Sequence, residues 1–179
     1  DALRDCLEWR AQKIYGSVKA VHRLDMDTSG LILISLSPNA HANLSKQFED
    51  RLVKKVYIAR VFGLVMEDKG EINLPLACDW PNRPIQKVDY KLGKPALTYF
   101  KVLKKEKKTS LMEFSPQTGR SHQLRVHASS MGHPIIGDKF YATGEALTMA
   151  RRLNLHAQRI EFNHPASGCL LKFEVQFDF

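Results

Sequence analysis

His22-Arg23-Leu24-Asp25-Met26-Asp27-Thr28-Ser29-Gly30 places basic groups, two carboxylates, two hydroxyls and a glycine directly ahead of an apolar run, Leu31 to Leu36. That density of polar groups beside a strand-like run makes a poor core and a good site. A second polar stretch lies far downstream, Thr118-Gly119-Arg120-Ser121-His122-Gln123-Leu124-Arg125-Val126-His127. The first stretch offers a carboxylate nucleophile and the second offers cations to hold it. A free aspartate ionises at a pH of about 3.9, so at neutral pH it needs no base to activate it. Neither stretch carries a metal-ligand set. His122 and His127 do not share a helical face and have no acid at suitable spacing, which makes them hydrogen-bonded structural histidines.

Outward from the first stretch, Leu31 to Leu36 reads as a buried strand. Ser37-Pro38 then supplies an N-cap and a first-turn proline, predicting a helix from Pro38 to about Asp50. Upstream, Leu3, Leu7, Ala11 and Ile14 recur at helical spacing, and Gly16-Ser17 ends that amphipathic helix. Downstream, Val56, Ile58 and Val61-Phe62 mark a strand, and Asp68-Lys69-Gly70 reads as a turn. Prolines 75, 81, 84 and 95 make Leu74 to Pro95 an exposed loop or distorted hairpin. Strands are expected over Thr98–Leu103 and Ser110–Phe114, around the basic turn Lys104 to Lys108. A helix over Ser121–Met131 should face the core with Leu124, Ala128 and Met131. Closing strands are expected at about Leu155–Phe162 and Leu170–Phe177. Runs of strands with few, separate helices make this an α+β chain with a largely antiparallel sheet.

With 179 residues the chain reads as one domain, 1–179. Lys and Arg number 27 against 19 Asp and Glu, a net charge of +8 that attracts polyanions, nucleic acid above all. Cys6, Cys78 and Cys169 are odd in number and widely spaced, which speaks against a disulfide framework and structural zinc, and for reduced thiols in the cytoplasm. No apolar run approaches the roughly 18 residues of a membrane span, and no signal peptide opens the chain.

The first stretch resembles the catalytic motif of the RluA family of RNA pseudouridine synthases, His-Arg-Leu-Asp followed by Thr-Ser-Gly. The second is similar to the family's later motif, Gly-Arg-Ser-His-Gln-Leu-Arg-Val-His. Lys54-Lys55-Val56-Tyr57-Ile58-Ala59-Arg60 resembles the strand bearing the family tyrosine, and Gly132-His133-Pro134-Ile135-Ile136-Gly137-Asp138 a further family segment. The resemblance runs from about Val21 to the C-terminus. Cys78 to Pro84 and Gly93 to Ala96 are similar to the branch that gives the family its name. The resemblance implies the pseudouridine synthase fold, a long mixed sheet with a catalytic cleft across it. It implies isomerisation of uridine in ribosomal RNA of the large subunit, transfer RNA or both, by a cytoplasmic monomer without a cofactor. It also implies strands ahead of Asp1, so the N-terminal part is expected to be missing, with or without a separate RNA-binding domain.

On the same resemblance Asp25 is the nucleophile, toward either the base or the sugar, and Asp27 is the competing carboxylate. Tyr57 stacks on the target base and reaches it with its hydroxyl. Arg125 is expected to pair with Asp25 and orient it. Arg23, on the same face as Asp25 if the segment is a strand, enters the RNA stack or binds phosphate. His22 then faces away, and Gly30 permits a tight turn or close nucleotide approach. Arg120 meets phosphate, and Trp80, Arg83 and Lys87 form an aromatic–basic loop suited to RNA stacking and phosphate contact. Two other classes remain open on the residues alone. Asp25-Met26-Asp27-Thr28-Ser29 imitates the nucleophile loop of haloacid-dehalogenase-type phosphatases, which requires a continuous hydrophobic strand before it and a later acidic magnesium motif. A non-catalytic RNA-binding module would account for the charge.

Overall fold

A computed structural model describes residues 5–179. The opening helix, α1, spans Leu7–Tyr15 and ends at Gly16, whose φ of 77° suits glycine. Leu3 of the expected helix lies outside the described residues. Only Ala11 of the apolar stripe is buried, while Leu7 and Ile14 are exposed.

The run from Leu31 to Leu36 is not the single buried strand that its composition predicts. Strand β1 is Lys19–Ala20, β2 is Ser29–Gly30 and β3 is Ile34–Ser35. β2 belongs to the main sheet, whereas β3 pairs antiparallel with β1 in a separate ribbon, and Leu36 is exposed. The chain passes from one sheet to the other at Gly30, with a φ of 107°. There a Cβ would lie 2.3 Å from the Ala157 carbonyl oxygen. The close approach made by Gly30 is therefore to protein backbone. Helix α2, Pro38–Glu49, starts as predicted, with the Ser37 hydroxyl accepting from the Ala40 N–H.

The remaining strands are β4 (Lys54–Phe62), β5 (Lys69–Asn73), β6 (Leu76–Cys78), β7 (Gln86–Val88), β8 (Leu97–Glu106), β9 (Thr109–Pro116), β10 (Leu155–Asn163) and β11 (Leu170–Glu174). Helix α3 is Gln123–Ser130 and α4 is Gly144–Thr148. The main sheet runs β11-β10-β4-β9-β8-β5, antiparallel throughout, and β2 adds a short parallel pairing to β10. Lys69 and Gly70 lie in β5 and not in a turn, because Gly70 has no side chain and lets the Phe100 ring pack against its backbone. The proline-rich segment forms the small β6–β7 hairpin around a 3₁₀ turn at Trp80–Asn82. The basic turn narrows to Lys107-Lys108, with Lys107 in the left-handed region.

Alternation along β4 and β9 buries Val61, Met112 and Phe114 against Leu124 and Ala128 of α3, with Met131 packed beside them. On the other side Leu44 of α2 packs with Val53, Ile160 and Phe162. The polar stretches around Asp25 and ahead of α3 lie between these two cores, next to the centre of the sheet.

Candidate active site

β4 and β9 stay paired only as far as Tyr57 opposite Phe114. Beyond that point they part, and a cleft of about 310 Å³ opens, lined by Arg23, Asp25, Tyr57, Arg120 and Lys55 among others. Tyr57 projects from β4 and Arg120 from the loop before α3. Arg23 and Asp25 come from an irregular segment, not from a strand, so their common placement owes nothing to strand alternation. The Asp25 carbonyl accepts the Thr28 N–H at 2.9 Å, closing a tight turn over Asp25–Thr28. Among the described residues no hydrogen bond or ion pair engages the Asp25 carboxylate. Burial, and then the Asp25 charge, push the Tyr57 hydroxyl up to about 12, so it remains a proton-bearing donor at neutral pH.

His22 does not face away as a strand would require: the segment is irregular, and His22 lines the cleft together with Phe48. Its ring stacks on Phe48 at 4.8 Å and its Nε2 accepts the Leu33 N–H at 2.9 Å. Burial, reinforced by Lys55, lowers its pKa to about 4 and keeps the ring neutral, as an accepting Nε2 requires. These contacts fix the segment just ahead of Asp25. Asp27 turns outward to Lys139 at 3.7 Å.

Arg125 does not pair with Asp25. Its Nε and Nη2 donate to the two carboxylate oxygens of Asp138 at 2.8 and 2.6 Å, in a pair that is 2% and 0% exposed. Asp138 also accepts the Phe140 N–H and, more weakly, that of Tyr141. The reason is local: Asp138 is in the turn packed against α3, and a bidentate carboxylate satisfies a buried guanidinium better than a half-exposed one. Arg125 still lies close enough to feel the Asp25 charge, and its guanidinium stacks over the Phe140 and Tyr141 rings. Gln123 and Leu124 of the same helix line the cleft, and Arg125 itself does not.

Both histidines of the second stretch are structural in their bonding. His127 is fully buried between the Thr98 hydroxyl and the Leu74 carbonyl. His122, with a φ of 53°, leads into α3 and bonds the Tyr141 hydroxyl at 2.7 Å. That hydroxyl accepts the Gln86 N–H at 2.8 Å and so ties the β6–β7 hairpin to the back of the site. Trp80, Arg83 and Lys87 lie on this hairpin and outside the cleft. Arg83 stacks over the exposed Trp80 ring at 4.8 Å, and Lys87 reaches Asp79 at 3.5 Å. Sequence reasoning missed the parts played by Lys55, Asp138 and Tyr141. Asp138 was visible in a family-like segment, but its partner was not.

An Asp set in an irregular turn, opposite a tyrosine at a split in an antiparallel sheet, is unlike the phosphatase arrangement. That arrangement requires a continuous hydrophobic strand leading into the nucleophile loop, and residues 21–28 contain no such strand. The sequence pattern of the family described as RNA pseudouridylate synthase matches residues 2–130. The chain belongs to the RluA family of RNA pseudouridine synthases. It is 50% identical over 180 aligned residues to the dual-specificity RNA pseudouridine synthase RluA of Vibrio parahaemolyticus, covering 98% of this chain and 72% of the relative. Identity is 48% to the protein of the same description from Escherichia coli K12, over 98% of this chain and 81% of that one. The solved structure of human RNA pseudouridylate synthase domain containing 1 superposes with a TM-score of 0.82 at 26% identity, covering 96% of this chain and 74% of the human one. Human RNA pseudouridylate synthase domain containing 4 shares the fold, with a TM-score of 0.76 at 23% identity. The synthase is thus an isomerase whose substrate is RNA, on the pseudouridine synthase fold expected from its motifs. Among the described residues no helix is long and apolar enough to cross a membrane.

Proposed function

We propose that Asp25 is the nucleophile of uridine isomerisation in structured loops of large-subunit ribosomal RNA, transfer RNA or both. The free carboxylate of Asp25, half-buried and facing Tyr57 at the split between β4 and β9, carries this reading. The reaction breaks the C1′–N1 bond and forms C1′–C5 within one nucleotide. C5 loses a proton and N1 gains one, so nothing is transferred from outside. Attack by Asp25 at the ring or at the sugar loosens the base, and the cleft retains it while it turns. Tyr57 stacks on the extruded base and, being protonated, donates a hydrogen bond to it. Arg23, exposed at the cleft mouth, fills the place the base leaves in the stack or meets the adjacent phosphate, and Arg120 meets another. Arg125, tied to Asp138, contributes positive potential from behind without touching the nucleophile. Trp80, Arg83 and Lys87 would contact RNA only beyond the target nucleotide, since they stand on the hairpin. The chain works as one catalytic domain, a monomer in the cytoplasm.

Asp25→Asn tests the assignment. The amide keeps the volume and loses the nucleophile, so pseudouridine formation on a uridine-containing stem-loop should fall by on the order of 10³-fold or more. RNA affinity and the unfolding midpoint should stay near wild type. Turnover within tenfold of wild type would remove Asp25 from the chemistry. Wild-type turnover should survive EDTA.

A further inference from the structure

The parting of β4 and β9 opens more space than one base requires. Next to the cleft, and sharing Phe48, Lys55, Gly119 and Arg120 with it, lies a trench of about 660 Å³. One wall is the edge of β4 from Lys54 to Val56, which pairs with β10 on its other side and has left β9. We infer that this trench is a second RNA subsite, which takes the backbone phosphates flanking the target uridine on Arg51, Lys54 and Lys55. The inference rests on the reading that RNA enters the neighbouring cleft at Asp25.

Charge supports it first. The two carboxylates in the trench wall are engaged: Glu49 with Lys46 at 3.4 Å, and Glu161 with Arg159 at 3.6 Å and Lys172 at 3.9 Å. Among the described residues Arg51, Lys54 and Lys55 have no carboxylate within ion-pair distance. Lys55 is also half-buried, close to the Phe48 ring, and burial lowers its pKa. A cation removed from water and left without an acid is costly unless an anion comes to it. Its position on the boundary of cleft and trench puts that anion one step along the strand from the target base.

Backbone geometry adds an independent sign. Arg51 follows the end of α2 with a φ of 59°, the left-handed conformation in which helices usually end on glycine. An arginine there is strained, and what it gains is a guanidinium at the trench. Strain of this kind gathers where function holds it.

The test uses the whole chain, a uridine-containing stem-loop RNA, and the same RNA with neutral methylphosphonates in place of the phosphates flanking the target. Arg51→Gly relieves the strained backbone, so its melting temperature should equal or exceed that of wild type while its RNA affinity falls about tenfold. Lys54→Gln should also lower affinity. In the double variant the slope of log affinity against log salt should shrink by about 1.4, or about 0.7 for each lost contact. The loss in kcat/KM should appear in KM. Methylphosphonate substitution should weaken wild type strongly and the double variant little. Unchanged affinity and salt slope in the double variant, with normal wild-type turnover, would overturn the trench and spare the catalytic reading. Absence of wild-type turnover, with the variants still losing affinity, would overturn the catalytic reading and leave the trench.

Discussion

From Val21 to Thr28 the chain has neither helix nor strand, Arg23 and Met26 are exposed, and the carboxylate of Asp25 has no protein partner among the described residues. From Gln123 to Ala128 every residue is buried in one helix, and Gln123, Arg125 and His127 all spend their polar groups on the protein. Both stretches carry several polar side chains, yet the structure uses them in opposite ways. A carboxylate that is to react must keep its lone pairs free, which a half-exposed turn permits at small desolvation cost. A guanidinium inside a core must be paired, and Asp138 supplies that pairing. Substitutions in the first region should therefore cost activity, and substitutions in the second should cost stability.

The strongest attempt to break this contrast is Asp138→Ala. It leaves the Arg125 guanidinium buried without a counter-charge, and should destabilise the fold by about 3–5 kcal/mol in chemical denaturation. Asp25→Asn should change the same quantity by less than about 0.5 kcal/mol. Similar losses in the two variants would mean that the regions are not divided in this way.

His22 sharpens the comparison, because it belongs to the loop but is built like the helix. Its folded pKa is about 4, set by burial and then by Lys55, whereas an exposed histidine titrates near 6.5. Between those values the unfolded chain binds more protons than the folded one. The stability of the neutral ring is thus complete above about 6.5 and lost as pH falls toward 4, by up to about 3 kcal/mol. His127 and His156 are also lowered by burial and add a slope of the same sign. The difference between wild type and His22→Asn isolates the His22 share. Parallel pH–stability curves for the two proteins would contradict a neutral, anchored ring.

The smallest effect concerns Arg23, the exposed member of the loop. If it occupies the vacated stack, Arg23→Ala should slow turnover on a paired stem about tenfold more than on an unstructured loop, a difference of about 1.4 kcal/mol. Equal losses on both RNAs, with a reduced salt slope, would make Arg23 a phosphate ligand only.

The sequence by itself determined the strand-rich α+β class, because runs of strand-forming residues with few separate helices, and the Ser37-Pro38 start of α2, are local properties of the chain. It determined the core face of α3 through Leu124 and Ala128, and its motifs singled out Asp25 and Tyr57 as candidates for the chemistry. Other features depend on residues far apart in the chain. Leu31 to Leu36 looks like a buried strand until Gly30 meets Ala157 and the segment divides between two sheets. Asp68-Lys69-Gly70 looks like a turn until β8 is available to pair with it. Arg125 offers the same side chain to any carboxylate that packing brings near, and only the tertiary structure decided that Asp138 would be the one. The physical reason is common to all three. Local patterns report what a segment can bury or bond, whereas the choice of partner is made when distant segments compete for the same buried hydrogen bonds, and the pairing that leaves the fewest buried charges and backbone groups unsatisfied prevails.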